Sequence, residues 1–185
     1  MPGLTVFPLF FLAPLKRYLA TSKYNIYFPL IGIDCLDPTK HKKARVKCYL
    51  HVHNLSFSAV RDAMTLGGRL KDEVSLKRLE VLRSLWPLLL SEPEGIDISD
   101  ESWQKPARYP DTHYGVLQFT VEITPGKAVP ETKIYVPTFQ FTDHAKTAEK
   151  NFEEILKKLD HDWGHSGKYV ETMESILYVN FFVFL

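Results

Sequence analysis

The chain has 185 residues, 45% hydrophobic and 24% charged, the balance of a globular protein long enough to bury a core. A formal net charge of +1 excludes recruitment of nucleic acid or an anionic membrane by bulk charge, so any anion site must be built locally. Two cysteines, Cys35 and Cys48, make neither a disulfide framework nor a zinc set, and read as reduced thiols of a cytoplasmic protein.

In chain order, MPGLTVFPLFFLAPLKRYLA holds an apolar run too short to span a bilayer. It lacks a basic leader and is interrupted by Pro8 and Pro14, so neither signal peptide nor membrane anchor is expected. LIGIDCLDP reads as a short strand closed by a turn at Asp37-Pro38; TKHKKA is a solvated loop, and RVKCYLHVH is the return strand. In NLSFSAVRDAMTLGGRL, Asn54 or Ser56 caps a helix over roughly 57–66 that Gly67-Gly68 ends. DEVSLKRLEVLRSLWPLLL carries Leu76, Leu79, Val81, Leu82, Leu85, Trp86 and Leu89 near helical spacing, with Pro87 expected to kink or end the helix.

Residues 91–111 read as a polar loop. YGVLQFTVEI alternates as a strand, TPGKAVPE is a turn and TKIYVPTFQF returns. DHAKTAEKNFEEILKKLDHDW is an amphipathic helix with Ala148, Phe152, Ile155, Leu156 and Leu159 on one side, and KYVETMESILYV begins another. The C-terminal ILYVNFFVFL exposes apolar surface unless something covers it, which reads as an interrupted domain.

The order strand, strand, helix, helix therefore occurs twice, in units of about 31–90 and 115–178 of a single domain spanning 1–185. Lys47-x-Tyr49 sits on the second strand of the first unit and Lys133-x-Tyr135 on the second strand of the second. Alternate residues of a strand share a face, so Arg45, Lys47 and Tyr49 point one way while Val46, Cys48 and Leu50 point to the helices. Lys133 and Tyr135 share a face opposite Ile134 and Val136. The fold class is α+β, an antiparallel sheet curving toward a barrel with helices outside and a polar lumen. Solvent is the plain explanation of a polar face. A lumen that holds a diphosphate is the sharper one, because guanidinium and ammonium groups neutralise its charge and tyrosine faces stabilise an allylic cation.

Other polar groups carry less. Asp97, Asp100 and Glu101 lie in a polar loop rather than on a helix, so they read as solvated rather than magnesium-binding. His161 and His165 are spaced i,i+4, but Gly164 between them spoils the helical face a zinc pair needs. His51 and His53 continue the Tyr49 face, at a lumen rim or in solvent, and the basic residues 40–43 have no stacking platform for nucleic acid.

IDCLDP, ARVKCYL and SFSAVRDAMTLGGRL resemble the central region of fungal indole prenyltransferases of the dimethylallyltryptophan synthase type. PETKIYVP followed by a helix and GKYVETM resembles their next barrel unit, and FLAPLKRYLATSK a segment that follows an earlier Lys-x-Tyr strand. The resemblance runs over roughly residues 10–178, and RDAMTLGGRL is its most specific part. It implies a partial ABBA barrel, in which ααββ units close an antiparallel barrel inside a ring of helices. It also implies transfer of a dimethylallyl group from dimethylallyl diphosphate to an indole or tryptophan-derived acceptor, without a metal or other cofactor, in alkaloid or secondary metabolism. Arg45, Lys47, Tyr49, Lys133 and Tyr135 match residues that hold the diphosphate and shield the cation in that family. The resemblance implies small-molecule partners only, neither nucleic acid nor membrane, and leaves a homodimer open.

There are departures. The N-terminal region bearing the glutamate that accepts the indole N–H is missing, and the earlier Lys-x-Tyr falls on Leu9 and Phe11. The pair of helices expected between Lys23 and Ile31 is absent, and the last tyrosine-bearing strand is replaced by the apolar end. The chain is therefore expected to be less than half of such an enzyme, and an inactive remnant or incomplete gene product is the alternative to a working transferase.

Overall fold

The computed structural model describes residues 13–36, 44–92, 100–112, 116–124, 126–127 and 129–177. The apolar segment 178–185, the basic loop 40–43, Leu9, Phe11 and Asp97 lie outside the described residues. The elements in order are α1 (Ala13–Thr21), β1 (Ile26–Ile33), β2 (Val46–Val52), α2 (Phe57–Met64), α3 (Glu73–Leu89), β3 (Leu117–Ile123), β4 (Glu131–Tyr135), α4 (Ala145–Lys158), α5 (Asp162–His165) and α6 (Lys168–Leu177). Two compact units share them: residues 1–80, 101–104 and 116–136 form one, and 81–100, 105–115 and 137–185 the other.

The first unit is built on a four-stranded antiparallel sheet in the order β1-β2-β3-β4. Both expected hairpins are present, and they join through β2 and β3, which pair without a shift from Val46↔Ile123 to Val52↔Leu117. β1 starts at Ile26, before the expected Leu30, and pairs with β2 across an irregularity between Tyr27 and Leu30, where Pro29 supplies no N–H to a ladder.

Alternation sorts the strand residues. Cys48, Leu50 and Val52 of β2 and Leu117, Phe119, Val121 and Ile123 of β3 are buried on the face that α1 and α2 cover. Tyr18 of α1 meets Phe119 edge-on at 6.2 Å, and Thr132 of β4 donates to the carbonyl of Met64 in α2 at 3.0 Å. Burial of each large apolar side chain contributes about 1.5–3 kcal/mol, which is what holds the helices to the sheet.

α2 forms because Ser56 caps it: its extended backbone places Oγ to accept from Ala59 N at 3.2 Å, while Asn54 Oδ1 accepts from Ser56 N at 2.9 Å. The helix ends at Met64, two residues before the expected end. Leu66, Gly67 and Gly68 all have positive φ, and Gly67 N bonds back to Asp62 O at 2.8 Å. α3 runs through Pro87, which lies two residues before its end at Leu89, so the helix ends just beyond the proline and not at it. Leu79, Leu85 and Trp86 are buried on it, whereas Leu76 is exposed.

In the second unit, Gln140 is buried in a 3₁₀ turn (Thr138–Gln140). Its amide accepts from Tyr109 N at 2.7 Å and donates to Tyr109 O and Thr112 Oγ1, each at 3.0 Å. α4 packs Phe152 against Tyr169 of α6. Ile155 is buried, but Leu159, expected on the same side, caps the helix end and is 48% exposed. Gly164 of α5 lies so close to α4 that a Cβ there would meet the backbone of Leu156 at 2.8 Å.

Candidate functional site

The sheet face opposite α1 and α2 is polar, and strand register arranges it in three rows. One row is Gly32, Lys47, Glu122 and Glu131; the next is Leu30, Tyr49, Thr120 and Lys133; the third holds His51, Gln118 and Tyr135. Lys47, Tyr49, Lys133 and Tyr135, expected from the two Lys-x-Tyr strands, therefore share one face, with Arg45 one residue before β2 on the same alternation. Tyr49 leans toward β1: its Cε2 lies 3.4 Å from where a Cβ of Gly32 would stand.

Antiparallel pairing of β2 with β3, and of β3 with β4, brings the two repeats together, and β3 adds a residue the sequence reading passed over. Glu122 is 5% exposed and holds two cations at once. Arg45 Nη1 donates to its Oε2 at 3.0 Å and Lys133 Nζ to its Oε1 at 2.7 Å. Arg45 Nε also donates to Asp34 at 3.1 Å. These contacts hold the Asp34 carboxyl below the usual carboxylate range and push the Arg45 guanidinium up. Glu131 pairs with Lys127, and that hydrogen bond holds its carboxyl low as well. The signal for Glu122 was present, since Gln118, Thr120 and Glu122 alternate along YGVLQFTVEI.

Lys47 stands opposite Glu122 in register but makes no ion pair among the described residues. Thr120, between Tyr49 and Lys133, is buried, and its Oγ1 has no hydrogen-bond partner there. His51 meets Tyr27 edge-on at 6.2 Å. Burial, helped by His53, holds its imidazole below the ordinary value.

The remaining candidates have structural partners. Glu101 pairs with Arg61 of α2. His165 Nε2 lies 3.0 Å from Asp160, and His161 accepts from Trp163 N at 3.2 Å at the start of α5. Among the described residues there is no group of three or more His, Cys, Asp or Glu able to hold a metal ion. No helix there is long and apolar enough to cross a membrane. On the helix side, Leu15, Leu19, Phe28, Ile31 and Cys48 line an apolar concavity of about 530 Å³. Burial there pushes the Cys48 thiol up, away from the reactive thiolate.

The chain is similar to known proteins over most of its length. The chain is 57% identical over 166 residues to the indole prenyltransferase tdiB of Emericella nidulans, an overlap that covers 88% of this chain and 40% of that protein. It is 37% identical over 159 residues to the indole diterpene prenyltransferase terF of Tolypocladium album, covering 86% and 36%. Among solved structures, AnaPT from Neosartorya fischeri superposes with a TM-score of 0.62 at 20% identity, covering 88% of this chain and 34% of that one. NotF, solved in complex with brevianamide F and DMSPP, superposes with 0.65 at 18%, covering 89% and 36%. The fold is thus a partial ABBA-type α+β fold, and the chain spans less than half the length of these relatives. Residues 6–172 match the tryptophan dimethylallyltransferase model, and the chain belongs to that family.

Proposed function

We propose that this chain carries the diphosphate-holding face of an aromatic prenyltransferase, in one incomplete barrel domain that both repeats build. The reaction proposed is transfer of a dimethylallyl group from dimethylallyl diphosphate to an indole or tryptophan-derived acceptor. The observation that carries the reading is the single polar face on which Arg45, Lys47 and Lys133 stand with Tyr49 and Tyr135.

The chemistry asks for what this face offers. The allylic C–O bond breaks and its electron pair leaves with the diphosphate. A carbon of the indole supplies the pair for the new C–C bond, and a proton then leaves that carbon. Lys47, Lys133 and Arg45 stabilise the departing charge by charge-assisted hydrogen bonds, the part a divalent cation would otherwise play. Tyr49 and Tyr135 present ring faces to the allylic cation and hydroxyls to the diphosphate. The fungal indole prenyltransferases it resembles, and the DMSPP and brevianamide F bound by NotF, support a prenyl diphosphate and an indole acceptor as the substrates. A cytoplasmic setting fits small-molecule partners.

One observation favours a second, lesser reading for this chain taken alone, namely diphosphate binding without transfer. The Lys133 side chain is 48% and Tyr135 50% exposed, so water reaches the place where the cation would form and would quench it before carbon attack. Orientation of the acceptor contributes up to roughly 7–11 kcal/mol to a bimolecular step, and nothing among the described residues of this face orients an indole.

The test incubates the purified chain with dimethylallyl diphosphate and tryptophan or a tryptophan-containing cyclic dipeptide, with and without a chelator, and detects product by mass. Calorimetry measures binding of inorganic pyrophosphate in parallel. Pyrophosphate binding that is weakened about 10- to 100-fold in Lys47→Met and indifferent to the chelator is the expected result, without prenylated product. Product formation, abolished by Lys47→Met, would replace the lesser reading with a working enzyme. A chain that binds no pyrophosphate has no such site.

A further inference from the structure

The meeting point of Arg45 and Lys133 already holds an anion. Glu122 occupies both cations through its two oxygens, from a side chain that is 5% exposed and rooted mid-sheet between β2 and β4. A short side chain on a fully paired strand has little room to withdraw. Lys133 is long and 48% exposed on its side chain, and Arg45 keeps Asp34 as a second partner, so the cations can turn toward a ligand while the carboxylate stays.

We propose that Glu122 is a built-in counter-anion of this site, which weakens its hold on a diphosphate and so sets how readily diphosphate leaves. The inference rests on the reading of the face as a diphosphate site.

The charges support it. Arg45, Lys47 and Lys133 face Asp34 and Glu122, while Glu131 is hydrogen-bonded to Lys127 and reaches Lys133 only through its charge, so two of three cations arrive already in ion pairs. Of the three, Lys47 alone makes no ion pair among the described residues, although its charge acts on Asp34, so it can turn to an incoming anion without giving up an ion pair. A bound diphosphate must then share Lys133 and Arg45 with a carboxylate that cannot move away, and like charges a few ångströms apart in a partly dry site repel strongly. A diphosphate that leaves returns both cations to Glu122, which lowers the barrier to release. Because such changes act after the partners have met, they are read mainly in the dissociation rate.

The experiment titrates inorganic pyrophosphate into the full 185-residue chain at fixed ionic strength, by calorimetry and by stopped-flow displacement. The variants are Glu122→Gln, Lys47→Met and Glu131→Gln, each checked by thermal melting. Glu122→Gln is expected to bind pyrophosphate about tenfold more tightly, through slower release, the order expected for removal of one nearby unit charge. Glu131→Gln, which removes the same charge from the same sheet, is expected to tighten binding clearly less than Glu122→Gln does, because Glu131 is hydrogen-bonded to Lys127 and makes no ion pair with Arg45 or Lys133. Glu122→Thr, uncharged and suited to a strand, repeats the measurement should the glutamine variant not fold.

Equal or weaker binding in both Glu122 variants would overturn the inference and make the residue a support for the cations instead. Tighter binding of the same size in Glu131→Gln would also overturn it, because only general charge would then be acting. Absence of pyrophosphate binding in the wild-type chain overturns the site itself. Binding lost in Lys47→Met but unmoved in the Glu122 variants overturns the counter-anion alone.

Discussion

Lys47 and Glu122 stand directly opposite each other on β2 and β3, yet Glu122 gives its two oxygens to Arg45 and Lys133 instead. Among its described residues the face thus has one cation without an ion pair beside two that are paired. That asymmetry assigns different consequences to substitutions that look alike in sequence.

Lys47→Met is expected to weaken pyrophosphate binding by about 10- to 100-fold, since one hydrogen bond to a charged group is worth roughly 1.5–3 kcal/mol. Thermal stability should hardly move, because Lys47 has no ion pair to lose among the described residues. Calorimetry and a melting curve on the same sample check both halves.

The core of the first unit should respond in the opposite way. Phe119 is buried at 1% exposure and touches Tyr18 edge-on, so Phe119→Ala removes one of the contacts that fasten α1 to the sheet. The expected loss is about 3–5 kcal/mol, a large share of the stability of any domain. Chemical denaturation followed by far-ultraviolet circular dichroism measures it.

Ser56→Ala removes the cap of α2, whose hydroxyl accepts from Ala59 N. A cost of about 1 kcal/mol is expected, and Ser56→Asp should restore most of it because aspartate caps as well. A loss that the aspartate variant does not recover would place the role of Ser56 in the hydrogen bond its hydroxyl donates to Asn54 Oδ1, which a carboxylate cannot make.

Gly164→Ala should disturb the second unit through backbone, not side chains. The new Cβ would meet the carbonyl carbon and Cβ of Leu156 at 2.8 Å, and a helix backbone cannot yield cheaply. Amide exchange is expected to speed up along α4 and α5 while the strands of the first unit stay protected. Uniform acceleration over the whole chain would show that the two units unfold together.

Stability should fall as the solution is acidified, in two ranges. His51 has a folded pKa held below 6.5 by burial, so its contribution is complete above 6.5 and is lost as pH falls through the lower folded value. Asp34 and Glu131 have folded values below 3.8 and 4.5, so theirs is present above those values and lost as pH falls further. His51→Gln should remove only the upper range of the loss. An NMR titration placing the His51 midpoint at or above 6.5 would contradict this assignment.

Local sequence determined the elements and the faces of this protein. The alternation in RVKCYLHVH and TKIYV separates cations and phenols from the apolar layer, and register can only preserve or invert such a pattern as a whole. Ser56 and the two glycines after Leu66 marked the ends of α2 for equally local reasons, hydrogen-bond capping and positive φ. What lay outside the local pattern is what neighbours decide. α1 was not read from its nine residues, which gain their stability by burying Leu15 and Tyr18. Leu159 fits the apolar stripe of α4 but falls at its cap, where the chain turns away. Glu122 is the clearest case. Alternation put it on the polar face, but its role follows from β3 lying between β2 and β4, where Arg45 and Lys133, far apart in the chain, reach one carboxylate from both sides. Periodicity along a strand reports which way a side chain points; only the pairing of strands distant in sequence decides which charges it meets.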